Sequence, residues 1–253
     1  MLAQERQREI LNRVLAGGSV RVASLARELS VTDETIRRDL ERLDQEGKLI
    51  RIHGGALPPE KDRRDLPFGV REAVNLEAKR SIAQYAVRHI ADGDVIALDA
   101  SSTAREMARV IPDIPLTVVT NSIAVVAALV DRVRVRVIST GGVLDAPSLS
   151  YIGPLAEQAL SRFHVKKLFL SCQGIDFERG LSVTADEHAG IKRRMMELAD
   201  TTFLLVDHSK FGVKAVEFFA PLSDVDVVLT DAGLDPALKE QLESVGLVVE
   251  IAD

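Results

Sequence analysis

Two groups of residues in this 253-residue chain have the types and spacing to do chemistry. The first is a cluster near the N-terminus: Arg37, Arg38 and Arg42, with Thr32 and Thr35 just ahead and Arg51 and His53 just behind. A guanidinium fork grips phosphate oxygens or the acceptor edge of guanine, and a threonine can hydrogen-bond a base or meet a thymine methyl. The second group is scattered over Asp99-Ala100-Ser101-Ser102-Thr103, Thr120-Asn121, Thr140-Gly141-Gly142, Gly174-Ile175-Asp176 and Asp207-His208-Ser209-Lys210, with Lys192 besides. Hydroxyls and free amides at a helix start suit a phosphate. Carboxylates and side-chain amides suit sugar hydroxyls, and Lys192 and Lys210 can supply positive charge.

Helical periodicity positions the first group. Ile10, Leu11, Val14 and Leu15 repeat as one face of a helix that ends at Gly17-Gly18. A short β-like stretch, 19–22, precedes a second helix with Leu25, Ala26 and Leu29 inward. Ser30-Val31 turns into a third helix, capped by Thr32, with Asp33 and Glu34 set against its positive end. Ile36, Leu40 and Leu43 form its buried stripe, which leaves Thr35, Arg37, Arg38 and Arg42 on or beside the outward face. Behind it, 49–52 and Ala56-Leu57 flank His53-Gly54-Gly55 as a strand–turn–strand wing, where Arg51 and His53 can touch a phosphate backbone. The bland alternative is a solvated face laced by pairs such as Arg37–Glu41.

Charge separates the chain in the same place. The net charge is −6, yet residues 1–57 carry 10 Lys/Arg against 9 Asp/Glu, and all of the acidic excess lies beyond them. Only the first part is therefore expected to meet nucleic acid. Pro58-Pro59 and the charged run from Glu60 to Asp65, up to Pro67, read as a linker. The expected organisation is a winged helix-turn-helix over 1–57, a linker over 58–74 and an α/β domain over 75–253.

In that larger domain a helix at 76–91 is followed by short apolar strands at 95–98, 116–120, 135–138, 168–170, 203–206 and 227–229. Helices near 103–110, 122–130, 155–160, 189–198 and 236–243 lie between and after them, which predicts a mainly parallel sheet covered on both faces. Ligands of such sheets bind at the carboxyl ends of the strands, where the second group of residues falls. The candidate effector-binding set is Asp99, Ser101, Ser102, Thr103, Thr120, Asn121, Gly141, Gly142, Gly174, Asp176, Lys192, Asp207 and Lys210.

Composition closes off other classes. Apolar residues make up 46% and charged residues 28%, as in a folded globular protein. The one cysteine, Cys172, excludes an internal disulfide, and the five histidines show no ligand spacing, so no metal is expected. Gly141-Gly142 is too short for a dinucleotide fingerprint, and no cofactor is expected. Residues 1–16 read as a charged amphipathic helix rather than a secretion signal, and 122–130 is too short to span a bilayer. These features point to the cytoplasm, without a membrane partner.

Arg6, Ile10 and Val14 at spacings of four, then Thr32 and the run from Thr35 to Leu40, resemble the helix-turn-helix signature of the DeoR family of bacterial regulators. The wing run Arg51-Ile52-His53-Gly54-Gly55-Ala56 is similar to that family's as well. So, in the larger domain, are Asp99 through Thr103, Val119-Thr120-Asn121, Gly141-Gly142, Ile152-Gly153-Pro154, Gly174-Ile175-Asp176 with Gly180-Leu181, and Asp207 through Gly212. The resemblance implies that Thr35, Arg37 and Arg38 meet DNA. It also implies a sensor domain similar in fold to ribose-5-phosphate isomerase and glucosamine-6-phosphate deaminase, phosphorylated sugars as effectors, and a dimer or tetramer. Asp39 reads as an intramolecular partner, since a carboxylate facing phosphate is repelled. Two departures bear on the sugar: Asp99-Ala100-Ser101-Ser102-Thr103 stands where Asp-Ser-Gly-Thr-Thr is frequent, and His188 stands where a glutamate is common.

The expected function is a DNA-binding repressor of a carbohydrate operon under the control of a sugar phosphate. The alternative is a sugar-phosphate enzyme in which Asp99, Asp176, Asp207 and the two lysines move protons. The same residues serve as hydrogen-bond partners of a bound effector, and a DNA reader tied to a metabolite site makes best sense as a switch. No catalysis is therefore expected.

Overall fold

Apolar residues three and four apart close the core of the N-terminal part as their spacing predicts. The computed structural model describes residues 2–17, 20–58 and 68–252 and divides into two units, Met1–Val74 and Asn75–Asp253. In the first unit α1 (Ala3–Gly17), α2 (Val22–Glu28) and α3 (Asp33–Gln45) bury Ile10, Val14, Leu25, Leu29, Ile36, Leu40 and Leu43 together. β1 (Val20–Arg21), β2 (Ile50–Ile52) and β3 (Gly55–Leu57) form an antiparallel sheet in the order β1-β3-β2. At Gly55 an added Cβ would lie 2.0 Å from the Val20 carbonyl oxygen, so only glycine lets the wing close on β1.

Residues 18 and 19, at the expected end of α1, and 59–67, most of the expected linker, lie outside the described residues. The rest of that span is not linker. Phe68–Ala73 is a helix, α4, and it belongs to the first unit. Phe68 is 3% exposed, and Val74 packs with Leu57 and Ile52.

The second unit opens with α5 (Leu76–Ala86) and a short 3-10 turn at Val87–His89. Next come β4 (Val95–Leu98), α6 (Ser102–Val110), β5 (Leu116–Thr120), α7 (Ile123–Leu129) and β6 (Val135–Ser139). The hairpin β7 (Val143–Asp145) and β8 (Ser150–Ile152) leads to α8 (Pro154–Leu160) and β9 (Val165–Leu170). β10 (Gly174–Asp176), β11 (Gly180–Val183), α9 (Asp186–Glu197) and β12 (Ala199–Leu205) follow. β13 (Glu217–Ala220), β14 (Val227–Asp231), α10 (Pro236–Ser244) and β15 (Val248–Ala252) complete the unit.

Seven of these strands form one parallel sheet, β15-β14-β12-β9-β4-β5-β6. Its two faces pack against different helices. Ile82, Met107 and Val125 of α5, α6 and α7 line one core, and Leu160, Met195 and Leu242 of α8, α9 and α10 line the other. Both faces are therefore covered, which is why the strands read as apolar runs without alternation. β10, β11 and β13 form a separate antiparallel sheet that was not expected, since its strands of three and four residues carry too little periodicity to register.

One buried ion pair at the opposite, amino end of the sheet anchors β9 beside β4. Asp94, 5% exposed, accepts from Lys166 at 3.0 Å, from Lys167 at 2.7 Å and from the Ala91 amide at 3.0 Å. Burial pushes its carboxyl up, but Lys167 and the other donors outweigh this and hold it at about 2, below its ordinary 3.8. A depressed carboxyl contributes stability that is full above its unfolded value and fades as pH falls through its folded one. We therefore expect a term on the order of 2 kcal/mol at neutral pH that disappears between about pH 4 and 2. Urea denaturation over that range should show Asp94→Asn with a flatter acid limb than wild type; parallel limbs would contradict it.

Candidate functional site

The N-terminal unit presents the outer face of α3 as its candidate DNA-reading surface. Thr32 caps it, its hydroxyl accepting from the Thr35 amide at 3.3 Å and lying 2.9 Å from the Thr35 hydroxyl. Thr32 thus fixes where the helix starts. The Arg37 side chain is exposed and makes no hydrogen bond or ion pair among the described residues, so the Arg37–Glu41 pair does not form. Arg38 meets Glu34 only at 3.4 Å, with its side chain 77% exposed. Arg42 pairs with Glu46 at 3.2 Å and Arg51 with Glu41 at 3.7 Å, both on the surface where such pairs are weak and easily exchanged for phosphate. His53 is exposed in the wing turn. Asp39 points inward: its carboxylate accepts from Arg6 at 2.5 Å and Gln7 at 2.9 Å, clamping α1 to α3.

In the second unit the strand order reverses between β4 and β9. From β4 the sheet grows through β5 and β6 on one side, and from β9 through β12, β14 and β15 on the other. Such a reversal leaves a crevice at the carboxyl ends, where ligands of open α/β sheets bind. Asp99, 1% exposed, ties its two sides. One oxygen accepts from the Ser101 amide at 3.0 Å; the other accepts from the Ser171 amide at 3.0 Å and from the Lys192 ammonium, which also donates to the Ser171 carbonyl at 2.8 Å. Ser101 caps α6 by accepting from the Ala104 amide at 3.1 Å, with Ser102 and Thr103 buried behind it. Thr120 and Ser122 make the same kind of turn at the end of β5.

The end of β12 adds a second charged cluster. Asp207, also 1% exposed, accepts from the Ser209 amide and hydroxyl and from Asn75 at 2.8 Å. Burial pushes its carboxyl up, but Lys210, Ser209, Asn75 and Lys79 outweigh it and hold it below the usual range. Cys172 marks where these groups converge, because its thiol feels Lys192, Lys210, Asp99 and Asp207 together. Burial pushes it up to about 12 against the pull of both lysines, so it is an inert thiol.

Not every expected residue belongs to this crevice. Gly174 and Asp176 are the first and last residues of β10, and the residues that follow β9 are Ser171, Cys172 and Gln173. Asp176 serves a hairpin, accepting from the Arg179 amide at 2.8 Å and pairing with Lys214 at 2.9 Å. Gly142 has a packing reason: its φ is +120° and an added Cβ would touch Ala156 and the Ile152 carbonyl at 3.0 Å. Lys192 is neutralised by Asp99, whereas the half-buried Lys210 ammonium makes no hydrogen bond or close ion pair among the described residues and acts on Asp207 only at longer range.

Comparison with known proteins bears on both units. A profile of the DeoR-like helix-turn-helix domain matches residues 6–62, and one of the DeoR C terminal sensor domain matches residues 74–232. The chain belongs to the DeoR family. An uncharacterized HTH-type transcriptional regulator of Bacillus subtilis, YulB, is 46% identical over 96% of this chain and 94% of its own length. The L-fucose operon activator of Haemophilus influenzae is 39% identical over 92% and 94%, and a putative aga operon transcriptional repressor of Escherichia coli O157:H7 is 34% identical over 97% and 92%. Among solved structures, ribose 5-phosphate isomerase A of Methanocaldococcus jannaschii is similar over 54% of this chain and 55% of that one, with 18% identity and a TM-score of 0.40.

Like the relatives it matches, this DeoR-family chain is a DNA-binding transcription regulator. No helix among the described residues is long and apolar enough to cross a membrane. Sequence reasoning missed several groups in the sensor domain. Lys79 is 4% exposed on α5, within electrostatic reach of Asp207. The signal was there, since Lys79 interrupts the buried stripe that continues through Ile82, Ala83 and Ala86. Asn75 links the start of α5 to Asp207 and Ser209. Asp231 ends β14 and holds the His208 ring at 2.7 Å, a pairing that no local spacing could announce.

Proposed function

We propose that this regulator responds to a phosphorylated sugar bound at the carboxyl ends of β4, β5, β9 and β12, and that it controls a carbohydrate operon from the cytoplasm. The observation that carries the reading is Lys210: a half-buried ammonium with no hydrogen bond or close ion pair of its own among the described residues, beside a crevice in which Lys192 is already paired with Asp99. A cation held in that way gains most from an anion brought by a ligand, and the positive end of the α6 dipole at Ser102 favours the same charge. Relatives named for fucose and aga operons support the sugar. Repression is the simplest output, because a reader bound across a promoter excludes polymerase. The N-terminal unit's small positive excess supports binding as a homodimer or tetramer, in which two readers share the operator.

The proposal assigns no catalysis. Both oxygens of Asp99 accept from backbone amides or Lys192, which leaves this carboxylate a poor general base. Calorimetry should show a sugar phosphate binding far more tightly than its free sugar. Lys210→Ala should remove most of that difference, roughly tenfold or more for a charge-assisted contact. Equal affinity for the two forms would sink the phosphate reading. Conversion of any sugar phosphate on incubation with the protein would revive the enzyme.

A further inference from the structure

Buried polar atoms without partners are uncommon in folded proteins, and where they gather they ask for an explanation. Among the described residues, the buried side-chain acceptors left without a hydrogen bond are Asn121 Oδ1, Gln173 Oε1 and Thr230 Oγ1. All three lie at carboxyl ends of the parallel sheet: Asn121 follows β5, Gln173 follows β9, and Thr230 is the penultimate residue of β14. Asn121 and Gln173 flank the two sides of β4, where Asp99 and the start of α6 sit. The Asn121 amide is fixed by the bond from its Nδ2 to the Tyr151 carbonyl at 3.0 Å, so its oxygen is the unpaired atom. Gln173 is held through its main chain, its amide donating to the Ser182 carbonyl at 2.9 Å, while its side chain takes no part in the fold's hydrogen bonding.

An acceptor buried in this way penalises the empty protein and is relieved only by a donor from outside. Phosphate at neutral pH is chiefly an acceptor and cannot supply two such donors, but sugar hydroxyls can. We propose that the Asn121 and Gln173 side-chain amides are the hydroxyl-reading half of the effector site, separate in task from the phosphate-holding half at Lys210 and α6. The ligand is then a polyol whose hydroxyl protons reach both oxygens, and Gln173, which was not among the expected site residues, sets which polyol is accepted. This rests on the crevice being the effector site, but not on the effector carrying a phosphate.

The two tasks separate experimentally. Full-length wild type, Gln173→Met and Gln173→Leu are compared by thermal unfolding, alone and with inorganic phosphate, a panel of pentose and hexose phosphates, and the matching free sugars. Without ligand, both variants should be as stable as wild type or more so, because an unpaired buried oxygen has been replaced by an apolar group of similar size. Inorganic phosphate should stabilise all three proteins equally. The best sugar phosphate should bind wild type at least about tenfold more tightly than inorganic phosphate does, and both variants should lose that advantage. A clear loss of stability in the ligand-free variants would overturn the proposal, since it would make Gln173 structural. So would retention of the sugar preference in both variants, or a wild type that prefers no sugar compound. If a free sugar binds as well as its phosphate and still requires Gln173, the phosphate reading falls while this inference stands.

Discussion

Replacing Asp99 with alanine should destabilise the sensor domain by about 3–5 kcal/mol, the range for breaking one side of a buried pair. The loss has two sources. The Ser101 and Ser171 amides lose their acceptor, and Lys192, its side chain only 13% exposed, keeps a charge with nothing to oppose it. Asp99→Asn should lose less, because it still accepts from one amide but cannot balance the ammonium. Adding Lys192→Met to Asp99→Ala should recover a good part of the loss, as removing both partners of a buried pair costs far less than removing one. Urea denaturation of the full chain, followed on the sensor domain's own transition, measures all three. A cost below about 1 kcal/mol for Asp99→Ala would mean that the pair is solvated, and the crevice more open than described.

Arg37→Ala and Arg38→Ala should each weaken operator binding by about 1–3 kcal/mol, roughly 5- to 150-fold, if the side chain reads a base edge. Neither should lower thermal stability. Arg37 makes no ion pair among the described residues, and the Arg38–Glu34 pair at 3.4 Å on an exposed helix face is worth a few tenths of a kcal/mol. Titrations against DNA selected by the wild type from a random pool, repeated at two salt concentrations, tell the modes apart. Removing a base reader relaxes preference at one base pair, while removing a phosphate grip weakens binding to all sequences and lowers the salt slope. Unchanged binding by both variants would remove α3 as the recognition helix.

The DNA reader was legible in the sequence because its information is local. Ile36, Leu40 and Leu43 fix the inward stripe of α3 without reference to any distant residue, and Arg37 and Arg38 fall outside by subtraction. The parallel sheet was legible for a related reason, since β4, β5, β9, β12 and β14 are apolar runs separated by helices. The site was half legible. That strand ends would converge followed from the fold class, but which groups neutralise one another did not. Lys192 and Asp99 are 93 positions apart, and so are indistinguishable from free charges until the chain folds. The span past residue 67 reads as linker because prolines and charge dominate the local sequence, whereas the burial of Phe68 and Val74 depends on packing. Gln173 was missed because an unpaired oxygen is a property of surroundings, not of residue type.

The strand order of the sensor domain also sets a timetable. The central pairing joins β4 to β9, placing Leu98 against Phe169, residues 71 positions apart along the chain. Pairings this distant along the chain form late and slowly. The N-terminal unit closes on interactions among its first 74 residues. On a ribosome emitting chain N-terminus first, the DNA reader is therefore expected to finish folding while the sheet still lacks its middle. A nascent chain stalled before residue 165, or a fragment ending there, would carry a finished DNA reader with no sensor to govern it.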